Sequence, residues 1–303
     1  MLSVEILMFV ELFGGLMASR IHVQKTALVK AGVKEERYSG QATMQKLIDI
    51  ALPYQKDFIL SPKKKKIWLS SRQIGKSWTL SFIAVYKALS RKNGLSLCIS
   101  TGARAAAELI KKCEQMAFAV KTLTKGKLDY TSSADSIKFA NGARVLSLPS
   151  GNPAGLRGYT AAATLIDECA YIDHPYDVYS AIVPTLTRDP DAELVVASTP
   201  AGKYGLYWDL WNNADDTWYK QSTDIQQAKQ NGLDVDIEQL KNMVIDPDIF
   251  DMEYMCRFAD QFSQFVDLSL VDYVDDVPAE AKTHYVGMDV GSTSDRTAIV
   301  TLA

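Results

Sequence analysis

From about residue 42 onward, short apolar runs alternate with amphipathic stretches, which predicts strands and helices in turn. Lys66-Ile67-Trp68-Leu69, Leu95-Ser96-Leu97-Cys98-Ile99-Ser100, residues 161–166 and Leu194-Val195-Val196-Ala197 are apolar with little alternation. Such runs mark strands covered on both faces, as in a parallel sheet. Helical spacing of apolar positions fills 42–60, with Pro53-Tyr54-Gln55 starting a new turn, then 78–89, 103–120, 176–186 and 204–211. Residues 136–139 and 144–148 flank Asn141-Gly142, a strong hairpin signal. Residues 217–221 read as one more strand, and Asp246-Pro247 places an N-cap and a first-turn proline ahead of a helix reaching about 258. The prediction is an α/β fold: a mostly parallel sheet with helices on both faces and ligands at the carboxyl ends of the strands.

Composition changes this picture only at the margins. The 303 residues suggest about two domains, and 47% hydrophobic with 23% charged residues is the balance of an ordinary globular chain. A net charge of -3 excludes a globally basic nucleic-acid binder, so any such contact must come from a local patch. The four cysteines, Cys98, Cys113, Cys169 and Cys256, contain no C-x-x-C pair, which argues against zinc and for reduced thiols. Lys63-Lys64-Lys65-Lys66 reads as a solvated loop, with a phosphate-backbone contact as the alternative. Residues 2–18 are nearly all apolar but carry Glu5 and Glu11 with no basic residue ahead of them, which argues against a signal peptide and a membrane span. A helix packed on the protein and a start codon assigned too early both stay open.

The chemistry gathers where strands end. Ser70-Ser71-Arg72-Gln73-Ile74-Gly75-Lys76-Ser77 follows the first strand and opens a helix, the setting a phosphate-binding loop requires. Gly75 lets the backbone approach the phosphates, Lys76 would reach the β- and γ-phosphates, and the Ser77 hydroxyl would sit on Mg²⁺. The pattern departs from G-x-x-x-x-G-K-[ST] in having Ser70 at the first glycine. The strand 161–166 runs into Asp167-Glu168. There Asp167 would bind the ion and Glu168 would polarise the attacking water, each carboxylate on its own face of an extended chain. Arg72, inside the loop, and Arg157, on the glycine- and proline-rich stretch before that strand, are the arginine-finger candidates. Ser198-Thr199-Pro200 closes a third strand and would sense the γ-phosphate, although a plain strand exit would look the same.

Together these motifs resemble the large terminase subunit of tailed bacteriophages and prophages. Ser-Arg-Gln-x-Gly-Lys-Ser resembles its Walker A motif, Leu165-Ile166-Asp167-Glu168-Cys169-Ala170 its Walker B, and Ser198-Thr199-Pro200-Ala201-Gly202 its coupling motif, in the same order. The resemblance implies a RecA/ASCE-like P-loop ATPase domain that binds ATP and Mg²⁺. Gln55 would contact adenine, residues 71–77 would hold the phosphates, and Arg157 would act across subunits. Tyr285 to Gly291, followed by Asp295 to Val300, is similar to the opening strands of the family's RNase H-like nuclease, with Asp289 as its first metal carboxylate. Too few acids follow for a two-metal centre, so no cleavage of DNA is expected from this chain. The implied organisation is an extension over 1–40, the ATPase domain over 41–262, a linker over 263–283 and incomplete nuclease strands over 284–303. The implied partners are double-stranded DNA, a portal protein and a small terminase subunit. They would meet a homo-oligomeric ring on the procapsid, in the cytoplasm of a bacterial host and with no membrane involved. A helicase-like ATPase and an inert prophage fragment are the alternatives.

Overall fold

The computed structural model describes residues 40–187, 189–258, 285–289 and 298–302. The apolar stretch 2–18 and the linker 263–283 lie outside them. The chain divides into two compact units, 1–260 and 261–303.

In the first unit, α1 (Gly40–Ile50) and α2 (Pro53–Leu60) lead into β1 (Lys65–Ser70) and α3 (Lys76–Leu89). Then come β2 (Leu95–Ser100), α4 (Ala103–Leu123) and a meander of β3 (Tyr130–Ser132), β4 (Ser136–Phe139) and β5 (Arg144–Pro149). The chain continues through β6 (Ala163–Asp167), α5 (Pro175–Ile182), β7 (Glu193–Ser198), α6 (Gly205–Asn213) and β8 (Trp218–Thr223). It closes with α7 (Ile225–Gln230), α8 (Ile237–Met243) and α9 (Pro247–Glu253). The sheet order is β3-β4-β5-β2-β6-β7-β1-β8. All pairs from β5 to β8 are parallel and the β3-β4-β5 edge is antiparallel.

Alternate residues of β1 enter different cores, as the pleat dictates. Trp68 packs with α1–α4, while Ile67 and Leu69 pack on the other face with Val178, Ile182 and Leu206. Burial on both sides is why the central strands read as unbroken apolar runs. The Asn141-Gly142 turn forms as expected, with Gly142 at φ 83°. The helix expected to run to 258 stops at Glu253. The edge strand β3 and the helices α7 and α8 carried no strong periodicity, though α7 has a capping box in which Asp224 accepts from the Gln227 N–H.

The lysine run is the expected solvated loop only at its start: Lys63 and Lys64 are exposed, whereas Lys65 and Lys66 already belong to β1. Lys64 pairs with Asp191 at 3.4 Å and Lys65 with Asp215 at 3.9 Å, while Lys63 donates to the Asp216 carbonyl. Lys66 is the last of the run and is fully buried. It pairs with Glu193 at 3.2 Å and donates to the Ile59 carbonyl, and Lys87 also pairs with Glu193. Burial holds the Lys66 ammonium below its usual range despite Glu193. Removing Glu193 therefore strands a buried cation. Glu193→Leu is expected to cost about 3–5 kcal/mol, and Lys66→Met in the same chain to restore most of it. Denaturant titration checks both, and a Glu193→Leu protein as stable as the parent would contradict the assignment.

The second unit shows β9 (Tyr285–Asp289) antiparallel to β10 (Ala298–Leu302), with Asp289 opposite Ala298. A strand pair is where the sequence expects one. The segment between the strands lies outside the described residues.

Candidate nucleotide site

Because β7 lies between β1 and β6, the three polar strand ends meet on one rim. The loop after β1 is built by its own backbone. Gln73 (φ 61°) and Gly75 (φ 86°) are both left-handed, and Gly75 is the N-cap of α3. A Cβ on Gly75 would lie 2.4 Å from Gln55 Nε2, so only glycine fits there. Ser70 needs no glycine: it is the last strand residue, fully buried, and its hydroxyl donates to the Ser198 carbonyl at 3.5 Å. The variant first position of the motif thus ties β1 to the third motif.

The loop is held from several sides. Tyr54 Oη donates to the Ile74 carbonyl at 2.7 Å, and Gln55 Nε2 to the Ile74 and Gly75 carbonyls at 3.4 Å. Gln55 Oε1 accepts from the Leu52 N–H at 2.9 Å. In this arrangement the Gln55 amide braces the loop. The Ser71 N–H donates to the Thr223 carbonyl at the end of β8, and the Ser71 hydroxyl donates to the Arg72 carbonyl. Arg72 lies against the last residue of α9: its N–H donates to the Glu253 carbonyl at 3.0 Å and its guanidinium pairs with the Glu253 carboxylate. That bond raises the Arg72 pKa further above an already high value. Arg72 is therefore occupied by Glu253 rather than free. Glu253 was invisible to sequence reasoning because 181 positions separate it from its partner.

Lys76 opens α3 and is only 8% exposed. Its ammonium lies 2.7 Å from Glu168 Oε1 and 3.5 Å from Asp167 Oδ1. Burial opposes the charge, but the two carboxylates outweigh it and hold Lys76 above the usual lysine range. Burial pushes the Asp167 carboxyl up, with Lys76 offsetting part of the rise. The expectation that the two acids point to opposite faces fails for a local reason. The strand ends at Asp167, and Glu168 adopts φ 53°, ψ 45°, a left-handed turn costing a non-glycine residue about 1–2 kcal/mol. The Asp167 carboxylate braces the turn by accepting from the Glu168 N–H at 3.0 Å. Both acids consequently reach one lysine.

Glu168 also touches the third motif. Its Oε2 accepts from Ser198 Oγ at 3.5 Å and from the Thr199 N–H at 3.4 Å. Tyr171, one turn beyond Glu168, donates to the Pro200 carbonyl at 2.9 Å and accepts from the Thr199 hydroxyl at 3.3 Å. Arg157 is exposed after a short 3-10 turn and has no ion pair among the described residues. Ser77 is half-buried on the first turn of α3.

Could this set hold Mg²⁺? Among the described residues no cluster of three or more His, Cys, Asp and Glu is ready for a metal. Magnesium at a triphosphate does not need one, since one or two protein oxygens, phosphates and water complete its shell. Asp167 uses Oδ1 for Lys76 and the Glu168 N–H, and Oδ2 has no partner among the described residues. The set fits.

A helix-opening lysine on a left-handed glycine turn, facing carboxylates at the end of a strand two places away, defines a P-loop NTPase. Comparison with known proteins narrows the class. The sequence profile of the terminase large subunit, T4-like virus type, N-terminal, matches residues 67–269. The chain belongs to that family, whose N-terminal part is the ATPase of viral DNA packaging. Among solved structures it is similar to the ATPase domain of the Thermus phage P74-26 large terminase (TM-score 0.57, 19% identity, 68% of this chain and 93% of that one). It is also similar to the large terminase of bacteriophage HK97 (TM-score 0.57, 16% identity, 89% and 61%). A third match is the large terminase of a thermophilic bacteriophage in complex with ADP (TM-score 0.55, 16% identity, 82% and 64%). At these identities the structures speak for the fold. The chain spans 61% and 64% of the length of the last two proteins.

Proposed function

We propose that this chain binds Mg·ATP on the loop 71–77, hydrolyses it, and uses the cycle to move double-stranded DNA into a procapsid. The observation that carries the reading is the convergence of Lys76 with Asp167 and Glu168 at the start of α3. The loop N–H groups and the α3 dipole would take the phosphates. Lys76 would exchange Glu168 for the β- and γ-phosphates. Freed of the lysine, the Glu168 carboxylate would accept the proton of the attacking water while keeping its Thr199 contact. Ser77 and Asp167 would hold Mg²⁺, which when bound screens phosphate charge. Arg157, exposed and unpaired among the described residues, is suited to reach a neighbouring copy's γ-phosphate in a ring. Arg72 would lend charge only on leaving Glu253. In its present pose the Gln55 amide supports the loop, and an adenine contact would require it to release that backbone. The contact of Glu168 with Ser198 and Thr199 gives the hydrolytic centre a path to Pro200 and the segment after β7.

The HK97 protein is a large terminase, and the thermophilic-phage large terminase is seen with ADP and with ATP-γ-S. By extension the partners here are DNA, a portal protein and a small subunit, in a bacterial cytoplasm. Among the described residues no helix is long and apolar enough to cross a membrane. The strand pair ending at Asp289 is the candidate start of a nuclease, whose two-metal centre would need further acids. Measuring phosphate release with and without duplex DNA tests the reading: stimulation by DNA is expected. ATP binding with no turnover would make the chain an inert fragment instead.

A further inference from the structure

Positive charge is segregated in this protein. Residues 92–144 carry nine Lys and Arg against four Asp and Glu, in a chain of net charge -3. The four acids are engaged locally: Glu108 pairs with Lys111 and Asp129 with Lys121, each at 2.7 Å, Glu114 accepts from Ser132, and Asp135 accepts from Ser133. Lys92, Lys138 and Arg144 are exposed and have no carboxylate partner among the described residues. The contrast is with Lys63–Lys66 across the sheet, each of which is bonded within the chain.

Two of the unpartnered cations share one place, and a third lies on a turn docked beside them. Lys138 of β4 and Arg144 of β5 are directly opposed in the antiparallel ladder. Their neighbours Ile137, Phe139 and Val145 are buried with α4, so the two cations stand on the face that α4 leaves uncovered. The turn carrying Lys92 docks against the same hairpin, with the Arg144 N–H donating to the Gly94 carbonyl at 2.8 Å and the Asn93 N–H to the Asn141 carbonyl. Like charges directly opposite each other destabilise a sheet, and nothing in the described chain neutralises this pair. A polyanion would.

We propose that Lys138 and Arg144, on the α4-free face of the β4–β5 hairpin, with Lys92 on the turn docked beside it, form a contact with the phosphate backbone of double-stranded DNA. The proposal rests on the DNA-translocating reading above. Backbone contacts carry no sequence information, which suits a motor that must move along any sequence. The contact lies apart from the residues that hold nucleotide, so its loss should leave ATP hydrolysis without DNA unchanged.

The test is the affinity of the full chain for a random-sequence duplex across a salt series. It compares the parent with Lys138→Gln/Arg144→Gln and with a charge-matched control, Lys63→Gln/Lys64→Gln. Two lost phosphate contacts should weaken binding about tenfold or more near 0.1 M salt and reduce the slope of log K against log salt by about two. The control should keep the parent's slope, and all three proteins should hydrolyse ATP equally without DNA. An unchanged slope in the hairpin variant overturns the proposal while leaving the motor intact. An equal loss in the control reduces the effect to net charge and overturns it as well. If the hairpin variant alters self-association but not DNA binding, the patch belongs to a protein contact and the proposal fails. A parent that binds no DNA takes the proposal and the motor reading down together.

Discussion

Glu168→Gln is expected to lower the ATPase rate about 10²–10⁴-fold while ATP affinity changes little. Glutamine is nearly isosteric and its side-chain oxygen still accepts from the Thr199 N–H, so the left-handed turn at 168 should survive. What disappears is the base. The charge pairing with Lys76 at 2.7 Å also weakens, which leaves the lysine freer to meet phosphates and opposes any loss of affinity. The prediction therefore splits binding from chemistry: an equilibrium titration with ATP stays close to the parent while single-turnover hydrolysis collapses. Hydrolysis that persists at the parent rate would move the base to another residue and remove the role given to the Glu168–Thr199 contact.

The rim was legible in the sequence because each of its motifs terminates an apolar run, and a parallel sheet puts all such ends on one edge; their closeness comes from the adjacency of β6, β7 and β1. Lys76, Asp167 and Glu168 could be placed on that argument with no long-range contact known. The turn at Glu168 could not. An apolar strand followed by two acids does not announce that the second acid leaves the strand at φ 53°, and the simple alternation of faces pointed the wrong way. Ser70 was legible only as a departure from a pattern, since its bond to the Ser198 carbonyl depends on which strand lies beside β1. Glu253 was missed for a related reason. Its value lies in meeting Arg72 across the fold, and the sequence around 253 reads only as the interior of a helix, which the structure ends at Glu253. The lysine run was legible only at its exposed start, Lys63 and Lys64. Its sequence does not show that Lys64 and Lys65 meet Asp191 and Asp215 from distant turns, that Lys63 meets only the Asp216 carbonyl, or that Lys66 is buried against Glu193, the first residue of β7.

Lys76→Met is expected to have the largest effect on nucleotide binding, and to reach further than the loss of one phosphate contact. Lys76 is the cation that lets two neighbouring carboxylates sit together at the head of α3, where Asp167 is 7% exposed. Without it Asp167 and Glu168 confront each other with no counter-charge, burial already favours the neutral form of Asp167, and its carboxyl should rise further above the usual carboxylate range. Breaking one side of a buried ion cluster typically costs about 3–5 kcal/mol, softened here because Glu168 is partly open to solvent. ATP binding should fall at least tenfold, and turnover should become undetectable. The sign of the pH effect follows from Asp167. In the variant its folded pKa lies above its unfolded one, so the protein loses stability as pH rises through that range and regains it on acidification. In the parent the dependence has the same sign, with Lys76 offsetting part of it. Denaturant titrations of both proteins between about pH 4 and 8 would reveal the difference. A Lys76→Met protein with the parent's stability at every pH would mean that the lysine and the carboxylates do not share charge, and the geometry on which the hydrolytic assignment rests would have to be given up.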